Sequence, residues 1–499
     1  MHQALLVPDI FLEILSHVNH ILNPSSTSEK ALARKSIAAL ATTCRSFHEP
    51  SMDFLWAKVD QLEPLLGCVT RLHSLIYFSG PMRQYSWSKG IEPLSAQEAH
   101  QFLRHSARIR SLNVPSDHFF HLLSVVPIEK CVFPRLQSLT WRVSTGKYLN
   151  LFMSHTLRRC SLYEVNEDLK SIVTRCAALQ HLSITFDAST AESLSLLSDS
   201  VRLCKQLSTL SCPALDWAAW KHLSNIPTLV RVAIREVQCY SSPPRLRIVS
   251  FSKFLNVTAL SFRVYSAAYI VAVMQHSQFP SLVELKMETD LMSLAEAEGL
   301  FCALSPLSHS KACQTLQQFE ITITSFGPRF EYHQGSSFTA IPHLFCFTQL
   351  QTLRLVCRFS YIYLDNDLLL QAMSNWPHMR TLEIEGSSLH PSTVTFRGLF
   401  KAIRLCPRLH TLRMFIDPAD TKIDFNQKRH TSLNTVDFDT FSPVSDTAAV
   451  AQIIFDVLPC VDQVNRFTMH TKEWDEVNTH LTSLKAAAEY RCEQAYFEL

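Results

Sequence analysis

Few residues of this chain have a type and spacing that would support catalysis or metal binding. Asp365, Asn366 and Asp367 place three oxygen-bearing side chains together. An EF-hand calcium loop also needs a turn glycine and a distal glutamate, which are missing here, so we interpret the triplet as an exposed turn. None of the 22 histidines stands in an H-E-x-x-H zinc motif. We therefore expect no metal site and no catalytic residue.

Glycine usage argues against cofactor binding. Only 9 glycines occur, and no two are separated by a single residue. The dinucleotide fingerprint and the P-loop both need glycines where the backbone approaches phosphate, and the G-x-S-x-G nucleophile elbow is also missing. We predict no cofactor and no enzymatic activity. An enzyme hidden in a large α/β fold is the weakest alternative.

The cysteines and the N-terminus indicate an intracellular protein. The 15 cysteines are scattered singly, with no C-x-x-C pair, as expected for small buried side chains in a reducing compartment. Residues 1–18 lack a positively charged n-region, and Asp9 and Glu13 interrupt their apolar residues, so they do not form a signal peptide. No apolar run approaches the ~20 residues that span a bilayer. We expect the cytosol or the nucleus.

Length and charge narrow the class of partner. A chain of 499 residues suggests two or three domains or one extended repeat array. The 46 basic and 44 acidic residues give a net charge of +2, so no overall field favours nucleic acid or an anionic membrane. We expect a protein partner.

A repeated phrase is the dominant pattern. The segments FPRLQSLTW, CAALQHLSI, FTQLQTLRL and CPRLHTLRM share a start signal followed by apolar residues spaced h-x-x-h-x-h. We assign fourteen units, which start at Ile109, Leu136, Leu157, Leu179, Leu207, Leu229, Val257, Leu282, Leu316, Leu350, Met379, Leu409, Leu433 and Val464. Their spacing is 21 to 34 residues, with a mean of about 27, and leucine-rich repeats are ~20–29 residues long.

Each unit predicts a strand followed by a helix. The L-x-L part alternates with period two, as in a strand with one buried face. Stretches such as 368–376 and 395–405 have helical periodicity. The predicted fold is α/β, a leucine-rich-repeat solenoid or horseshoe with a parallel concave sheet and outer helices. A large α/β domain with ordinary strands is the alternative. A last helix with Trp474, Val477, Leu481 and Leu484 on one face would cap the core.

The first sixty residues do not follow the repeat. Val7-Pro8-Asp9-Ile10 is followed by Ile14-Leu15, and Cys44-Arg45-Ser46-Phe47 by Leu55-Trp56. This arrangement resembles the F-box family, with its L-P-x-E opening and its L-W close, and the sequence up to Leu112 is similar to basidiomycete F-box proteins with leucine-rich repeats. Val7 replaces the usual leucine, and a serine-rich insert at 23–29 lengthens the first loop.

The resemblance implies a role in ubiquitination. An F-box docks onto a Skp-type adaptor and so joins its chain to a cullin ubiquitin ligase, while the repeats capture a target protein. The implied adaptor-binding residues are Val7, Pro8, Ile10, Ile14, Leu15, Val18, Leu40, Cys44, Phe47, Leu55 and Trp56. The expected segments are a helical F-box module at 1–60, a helical linker or cap at 61–108, the solenoid at 109–470 and a capping helix at 471–499. The alternative is a repeat scaffold without a ligase role, in which the first helices only cap the solenoid.

The outward positions of the predicted strands suggest a polarised surface. Up to the seventh unit they carry Arg142, Arg159, Arg231, Arg235 and Arg263, without an acid. From the eighth unit they carry Glu284, Glu288, Glu320, Glu383, Glu385, Asp437 and Asp439 against Lys286, Arg354, Arg413 and Arg466. We predict target contacts at the five arginines and at Glu383 and Glu385. The alternative is that these are ordinary solvated strand positions.

Overall fold

The computed structural model describes residues 7–21, 27–77, 90–127, 131–144, 146–185, 190–236, 252–265, 267–289, 294–304, 307, 310–323, 337–338, 340–357, 361–386, 392–419, 429–440, 443–465 and 471–497. The chain forms two compact units, residues 1–215 and residues 216–499.

The first unit begins with three packed helices, α1 (Pro8–Ile21), α2 (Thr27–Thr43) and α3 (Arg45–Ala57). Pro8 opens α1, where its missing N–H costs no intrahelical hydrogen bond. Phe11, Leu15, Ile37 and Phe47 form the buried core of the three helices. The rings of Phe11 and Phe47 stack with centroids 4.1 Å apart. The buried face of α1, with Phe11 and Leu15, therefore packs against α2 and α3.

A short strand and three more helices follow. They are β1 (Lys58–Val59), α4 (Glu63–Leu66), α5 (Thr70–Tyr77) and α6 (Ala96–Leu103). Ser95 and Glu98 form a capping box at the start of α6, which satisfies two of the free N–H groups of a helix end. Arg71 donates to Glu98 at 2.7 Å, and these bonds lower the pKa of Glu98 to about 2. The pair joins α5 to α6.

The rest of the first unit is built from parallel strands. They are β2 (Ser111–Val114), β3 (Ser138–Trp141), β4 (Arg159–Leu162), β5 (His181–Ile184) and β6 (Thr209–Cys212). From β1 to β6 each strand pairs in parallel with the next in sequence. The connections include 3-10 turns at Phe120–Leu123 and Leu149–Phe152 and the helices α7 (Asp168–Arg175) and α8 (Ala191–Leu203).

The second unit repeats the same plan. Its main sheet orders nine strands along the sequence: β7 (Arg231–Arg235), β9 (Ala259–Val264), β11 (Glu284–Thr289), β12 (Gln318–Ile323), β14 (Thr352–Cys357), β16 (Thr381–Glu385), β17 (Thr411–Phe415), β18 (Thr435–Asp439) and β19 (Val464–Asn465). Two short parallel pairs flank it, β8 (Ser252–Lys253) with β10 (Ser277–Gln278) and β13 (Ser337–Phe338) with β15 (Tyr361–Ile362).

Helices connect the strands of the second unit. They are α9 (Trp217–Ser224), α10 (Ala267–Gln275), α11 (Leu294–Ala303), α12 (Asn366–Asn375), α13 (Phe396–Ile403) and α14 (Thr447–Val457), with 3-10 turns at Lys311–Gln314 and Ile341–Leu344. The terminal helix is α15 (Thr471–Phe497). Trp474, Val477 and Leu481 are buried on one of its faces. The α/β repeat with consecutive parallel strands is confirmed in both units.

The apolar phrase sets the register between neighbouring units. All fourteen assigned first positions are buried, and equivalent second positions face each other, as Leu382 faces Leu412. The carbonyl after the first position accepts two N–H groups from the next unit. The Gln351 oxygen, for example, accepts from Arg380 N at 2.7 Å and from Thr381 N at 3.0 Å. These bonds satisfy the backbone where each strand begins.

Two details of the repeat assignment were wrong. Val464 pairs with Val436, a second apolar position, so the last unit starts at the buried Val461 rather than at Val464. The phrase also missed β1, which pairs Val59 with Leu112 one strand before the first assigned unit. Both errors occur at an end of the array, where only one neighbour constrains the register.

The acidic triplet at 365–367 starts a helix and is not an exposed turn. Asp365 Oδ1 accepts the Leu368 N–H at 2.8 Å and caps α12. Asn366 Oδ1 accepts the Thr395 N–H at 3.0 Å. An N-cap carboxylate satisfies the free N–H groups of the first helical turn. These side-chain oxygen atoms therefore accept hydrogen bonds from backbone N–H groups.

Several cysteines occupy the turn that precedes the strand. Cys176, Cys204 and Cys406 are buried three residues before the first apolar position of their units, whereas Cys313 is half-buried. The Cys406 Sγ lies 3.2 Å from the Trp376 carbonyl oxygen, at the equivalent position of the preceding unit. Burial raises the pKa of the Cys406 and Cys204 thiols to about 12. Such thiols pack as small apolar side chains and are weak nucleophiles.

Candidate interaction surfaces

The outer side of α1 exposes aliphatic side chains. Val7 is 44% exposed and Ile10 is 43% exposed. Pro8 is exposed beside them, and Ile14 and Val18 are half-buried. Residues three and four apart share one side of a helix, so Val7, Ile10 and Ile14 form a continuous row. We call this row the α1 stripe.

The other residues implied by the resemblance lie deeper. Leu15 and Phe47 belong to the core of the three helices, and Leu40, Cys44 and Leu55 pack around it. Trp56 is half-buried, and its ring stacks on His105 with centroids 4.4 Å apart. These six residues therefore stabilise the packing of the three helices. The side chains of the α1 stripe remain accessible to a partner.

Two exposed leucines did not appear in the sequence interpretation. Leu12 on α1 is 42% exposed and Leu32 on α2 is 60% exposed. Leu32 has only polar residues three and four positions away, whereas Leu12 has Pro8 and Leu15 at that spacing, so periodicity gave a signal for Leu12 alone.

The three helices are fixed to the strands that follow them. Arg108, in the 3-10 turn before β2, bonds Glu49 at 2.5 Å and also bonds Asp53 on α3. Arg34 on α2 donates to the carbonyl oxygens of Leu55 and Lys58 at 3.3 Å. Together with the pairing of β1 and β2, these bonds hold the helices in one orientation within the first unit.

The outward strand positions of the first unit carry small polar side chains. Its central row consists of the half-buried residues Asn113, Thr140, Ser161, Ser183 and Ser211, which face one another in register. Arg142 and Arg159 are exposed at the margins of this row. Neither forms an ion pair with any residue in the described part of the chain. The first unit therefore presents two uncompensated cations.

The second unit has an alternating charge row at the equivalent positions. Each of its members faces the next across the parallel sheet: Lys286, Glu320, Arg354, Glu383, Arg413 and Asp437. Neighbouring strands are ~4.8 Å apart, so opposite charges lie within reach. Lys286 Nζ is 3.4 Å from Glu320, and Arg354 Nε is 3.0 Å from Glu383.

These ion pairs neutralise most of the acidic excess that was counted along the sequence. Glu385 is 2.6 Å from Arg413 and Glu288 is 3.3 Å from Arg263, so most of the predicted acidic positions have a cation beside them. Asp439 is buried, and Arg466 lies outside the described residues. Arg231 and Arg235 are exposed on β7 without an ion pair to any described residue. Arg231 and Arg235 therefore retain free charge, whereas Arg263 and most of the acids are paired.

Arg413 is the most enclosed cation of the row. Its side chain is 19% exposed, and that of Glu385 is 15% exposed. Burial lowers the pKa of Arg413, and the Glu385, Asp437 and Glu383 carboxylates oppose that shift. Glu385 is paired with this guanidinium and Asp437 faces it, whereas Glu383 lies between it and Arg354. Removal of that group would leave charges of one sign close together.

We predict that Arg413→Met lowers the free energy of unfolding by about 1–3 kcal/mol at neutral pH, between the ranges for exposed and buried pairs. Urea unfolding at pH 7 measures this loss. The control is Arg354→Met, whose side chain is 43% exposed. Equal losses in the two variants would contradict the role given to Arg413.

The described residues contain neither a metal-binding cluster nor a membrane-spanning helix. Among the described residues, no three histidine, cysteine or acidic side chains lie together as a metal-binding group. Within the same residues, every helix is too short or too polar to cross a bilayer.

Comparisons with known proteins do not identify a family. Neither a protein-family model nor a curated protein matches the chain. Among solved structures, the Toll–Spatzle complex of Drosophila matches with a TM-score of 0.25 and 11% identity. The match covers 62% of this chain and about half (47%) of that one. A likeness this low carries no argument about fold or function.

Proposed function

We propose that this chain is a substrate receptor of a cullin-type ubiquitin ligase. Helices α1–α3 act as an F-box and bind a Skp-type adaptor, and the leucine-rich repeats capture a protein for ubiquitination. The chain itself supplies no catalytic residue. Its role is to hold the target near the ubiquitin-transferring partner, which raises the effective concentration of the reacting groups.

The exposed α1 stripe is the observation that supports the proposal most directly. Val7 and Ile10 remain 44% and 43% exposed although the same helix buries Phe11 and Leu15. These residues lie in the segment that resembles the F-box opening. A helix that has already formed its own core and still presents aliphatic side chains suits helix-in-groove recognition.

The rigid attachment of the helices also suits this role. Arg108 ties α3 to the turn before β2, and β1 pairs directly with β2. A receptor must hold its target at a defined position relative to the ligase. Bonds that fix α1–α3 to the first strands would transmit the position of the adaptor to the repeats.

A repeat scaffold without a ligase role is the second candidate. The observation in its favour is β1, which follows α3 directly and covers the edge of β2. Exposed sheet edges invite unwanted pairing, and proteins often cover them. On this hypothesis α1–α3 and β1 cap the array, and the α1 stripe has no adaptor to bind.

Co-purification of the full chain with a Skp-type adaptor separates the two candidates. A receptor should elute with the adaptor as one complex on size exclusion and should carry the cullin into that complex. A scaffold should elute alone at the same concentrations. The free cysteines in the described residues fit the cytosol or nucleus, where such ligases work.

We predict that the uncompensated arginines guide target binding. Reversing Arg231 and Arg235 to glutamate should slow association about tenfold, because charge complementarity acts mainly on the association rate. Reversing Glu383 and Glu385 to lysine should slow it less, since cations already neutralise both acids. Association with a target found by proximity labelling, measured at low and high salt, tests this.

The control for net charge is Arg380→Glu with Arg408→Glu. Both residues are exposed and precede the strands rather than facing outward from them. Because the change in net charge is the same, any slowing specific to Arg231 and Arg235 reports their position. Equal slowing in the two double variants, or no change in either, would contradict the prediction.

A further inference from the structure

A cleft of about 770 Å³ lies between α1 and α3 in the first unit. Leu12 and Phe54 provide its apolar walls, and Asp9, Glu13 and Asp53 its carboxylates. Arg110, which directly precedes β2, also lines the cleft. The volume is within the ~300–1,000 Å³ typical of ligand pockets. The α3 side and the α1 side of this cleft differ in charge.

The carboxylates of α3 already bind an arginine. Arg108 bonds both Glu49 and Asp53, so their charges are compensated within the chain. Two acids four residues apart on a helix lie on one side of it and can hold a planar guanidinium by its fork of N–H groups. Glu49 and Asp53 on α3 therefore show that two carboxylates at this spacing bind an arginine in this protein.

The carboxylates of α1 have the same spacing without such a partner. Asp9 and Glu13 are both exposed and four residues apart. The one ion pair that either forms within the described chain is Glu13 with the exposed His17, at 3.2 Å. Leu12 lies between them in sequence and is 42% exposed. The α1 wall thus offers two negative charges beside an open aliphatic side chain.

We propose that this cleft binds a short basic segment of a partner protein, with an arginine on Asp9 and Glu13 and an adjacent aliphatic side chain on Leu12 and Phe54. The charge of the cleft selects the cation, and its apolar walls select the neighbouring residue. Exclusion of water by the aliphatic contact strengthens the ion pairs. An acidic or purely polar segment would gain neither the ion pairs nor the aliphatic contact.

This site does not rest on the proposed ligase role. Asp9, Leu12, Glu13 and Ser16 follow one another at helical spacing and line the cleft, whereas Val7, Ile10 and Ile14 form the α1 stripe on another side of the helix. One helix can therefore contact two partners at once. A substitution in one row should leave binding through the other row unchanged.

The test uses the full chain and a fluorescein-labelled peptide of alternating arginine and leucine, six residues long and blocked at both ends. Fluorescence anisotropy should show saturable binding that weakens with salt, because exposed charges are screened beyond ~8–10 Å. The double variant Asp9→Asn, Glu13→Gln should bind about 3- to 30-fold more weakly, as expected for two partly exposed ion pairs. Leu12→Ser should also weaken binding.

Matched controls separate the cleft from general charge effects. Glu192→Gln with Glu489→Gln removes two exposed acids elsewhere, and Ile10→Ser removes a side chain of equal exposure from the α1 stripe. Both should bind the peptide within about twofold of the original chain. Equal binding of a glutamate–leucine peptide, or unchanged binding after the Asp9 and Glu13 changes, would overturn the proposal. Adaptor binding by the same variants reports separately on the ligase role.

Discussion

Replacement of Ile10 by aspartate is expected to weaken binding of the Skp-type adaptor by about 30-fold or more. Truncation of a central interface anchor commonly costs ≥ 2 kcal/mol, and a charge in an apolar groove adds a desolvation cost. Ile10 is 43% exposed, so the helices should fold normally. Val7→Asp should have a similar effect, because both side chains belong to the α1 stripe.

Leu12→Asp is the control for this experiment. Leu12 is 42% exposed on the same helix but lies in the cleft between α1 and α3. The aspartate there should leave adaptor affinity within about twofold. Affinity is measured by titrating purified adaptor against the full chain, and circular dichroism confirms that each variant is folded. Equal losses for Ile10→Asp and Leu12→Asp would show that the α1 stripe does not select the adaptor.

Leu15 is unsuitable for the same test, although the resemblance places it in the adaptor-binding set. It is fully buried with Phe11, Ile37 and Phe47. A buried aspartate without a partner costs several kcal/mol, so Leu15→Asp would unfold the three helices and abolish binding for a trivial reason. The sequence motif alone does not separate core residues from contact residues, because both are apolar and share the helix periodicity.

The repeat was predictable because one physical constraint recurs in every unit. A strand with one buried face must alternate apolar and outward residues, and stacked units must place equivalent apolar residues side by side. Thirteen of the fourteen assigned first positions therefore coincide with the observed register. Val464 was misassigned because a frame that starts there has apolar residues at all three positions, with Phe467 and Met469, whereas the frame that starts at Val461 has Arg466 at its third position.

The pairing of charges between neighbouring strands was harder to predict from the sequence. Summing charges over the second half gave an acidic excess, but interaction energy depends on which charges are neighbours. Glu320 lies between Lys286 and Arg354, and Glu383 lies between Arg354 and Arg413. A comparison of one strand position across successive units would have shown this alternation. A contact between a turn and a distant helix, such as that of Arg108 with Asp53, has no equivalent signal in the sequence.

Trp474→Ala is expected to lower the free energy of unfolding at the C-terminal end by about 3–5 kcal/mol, the usual range for a fully buried aromatic residue. Trp474 is 2% exposed, and its ring centroid lies 6.1 Å from that of Phe438 on β18. Val477 and Leu481 continue the same buried face of α15. The indole thus joins the terminal helix to the last long strand.

The location of the loss distinguishes a cap from an ordinary core residue. Because each repeat contacts mainly its neighbours, Trp474→Ala should speed hydrogen exchange in β18 and α14 far more than in β7. Tyr490→Ala on the same helix, where the side chain is 62% exposed, should change stability by less than about 0.5 kcal/mol. A uniform rise in exchange across the second unit would show that α15 belongs to one cooperative core. A loss below about 1 kcal/mol would show that α15 contributes little to closing the array.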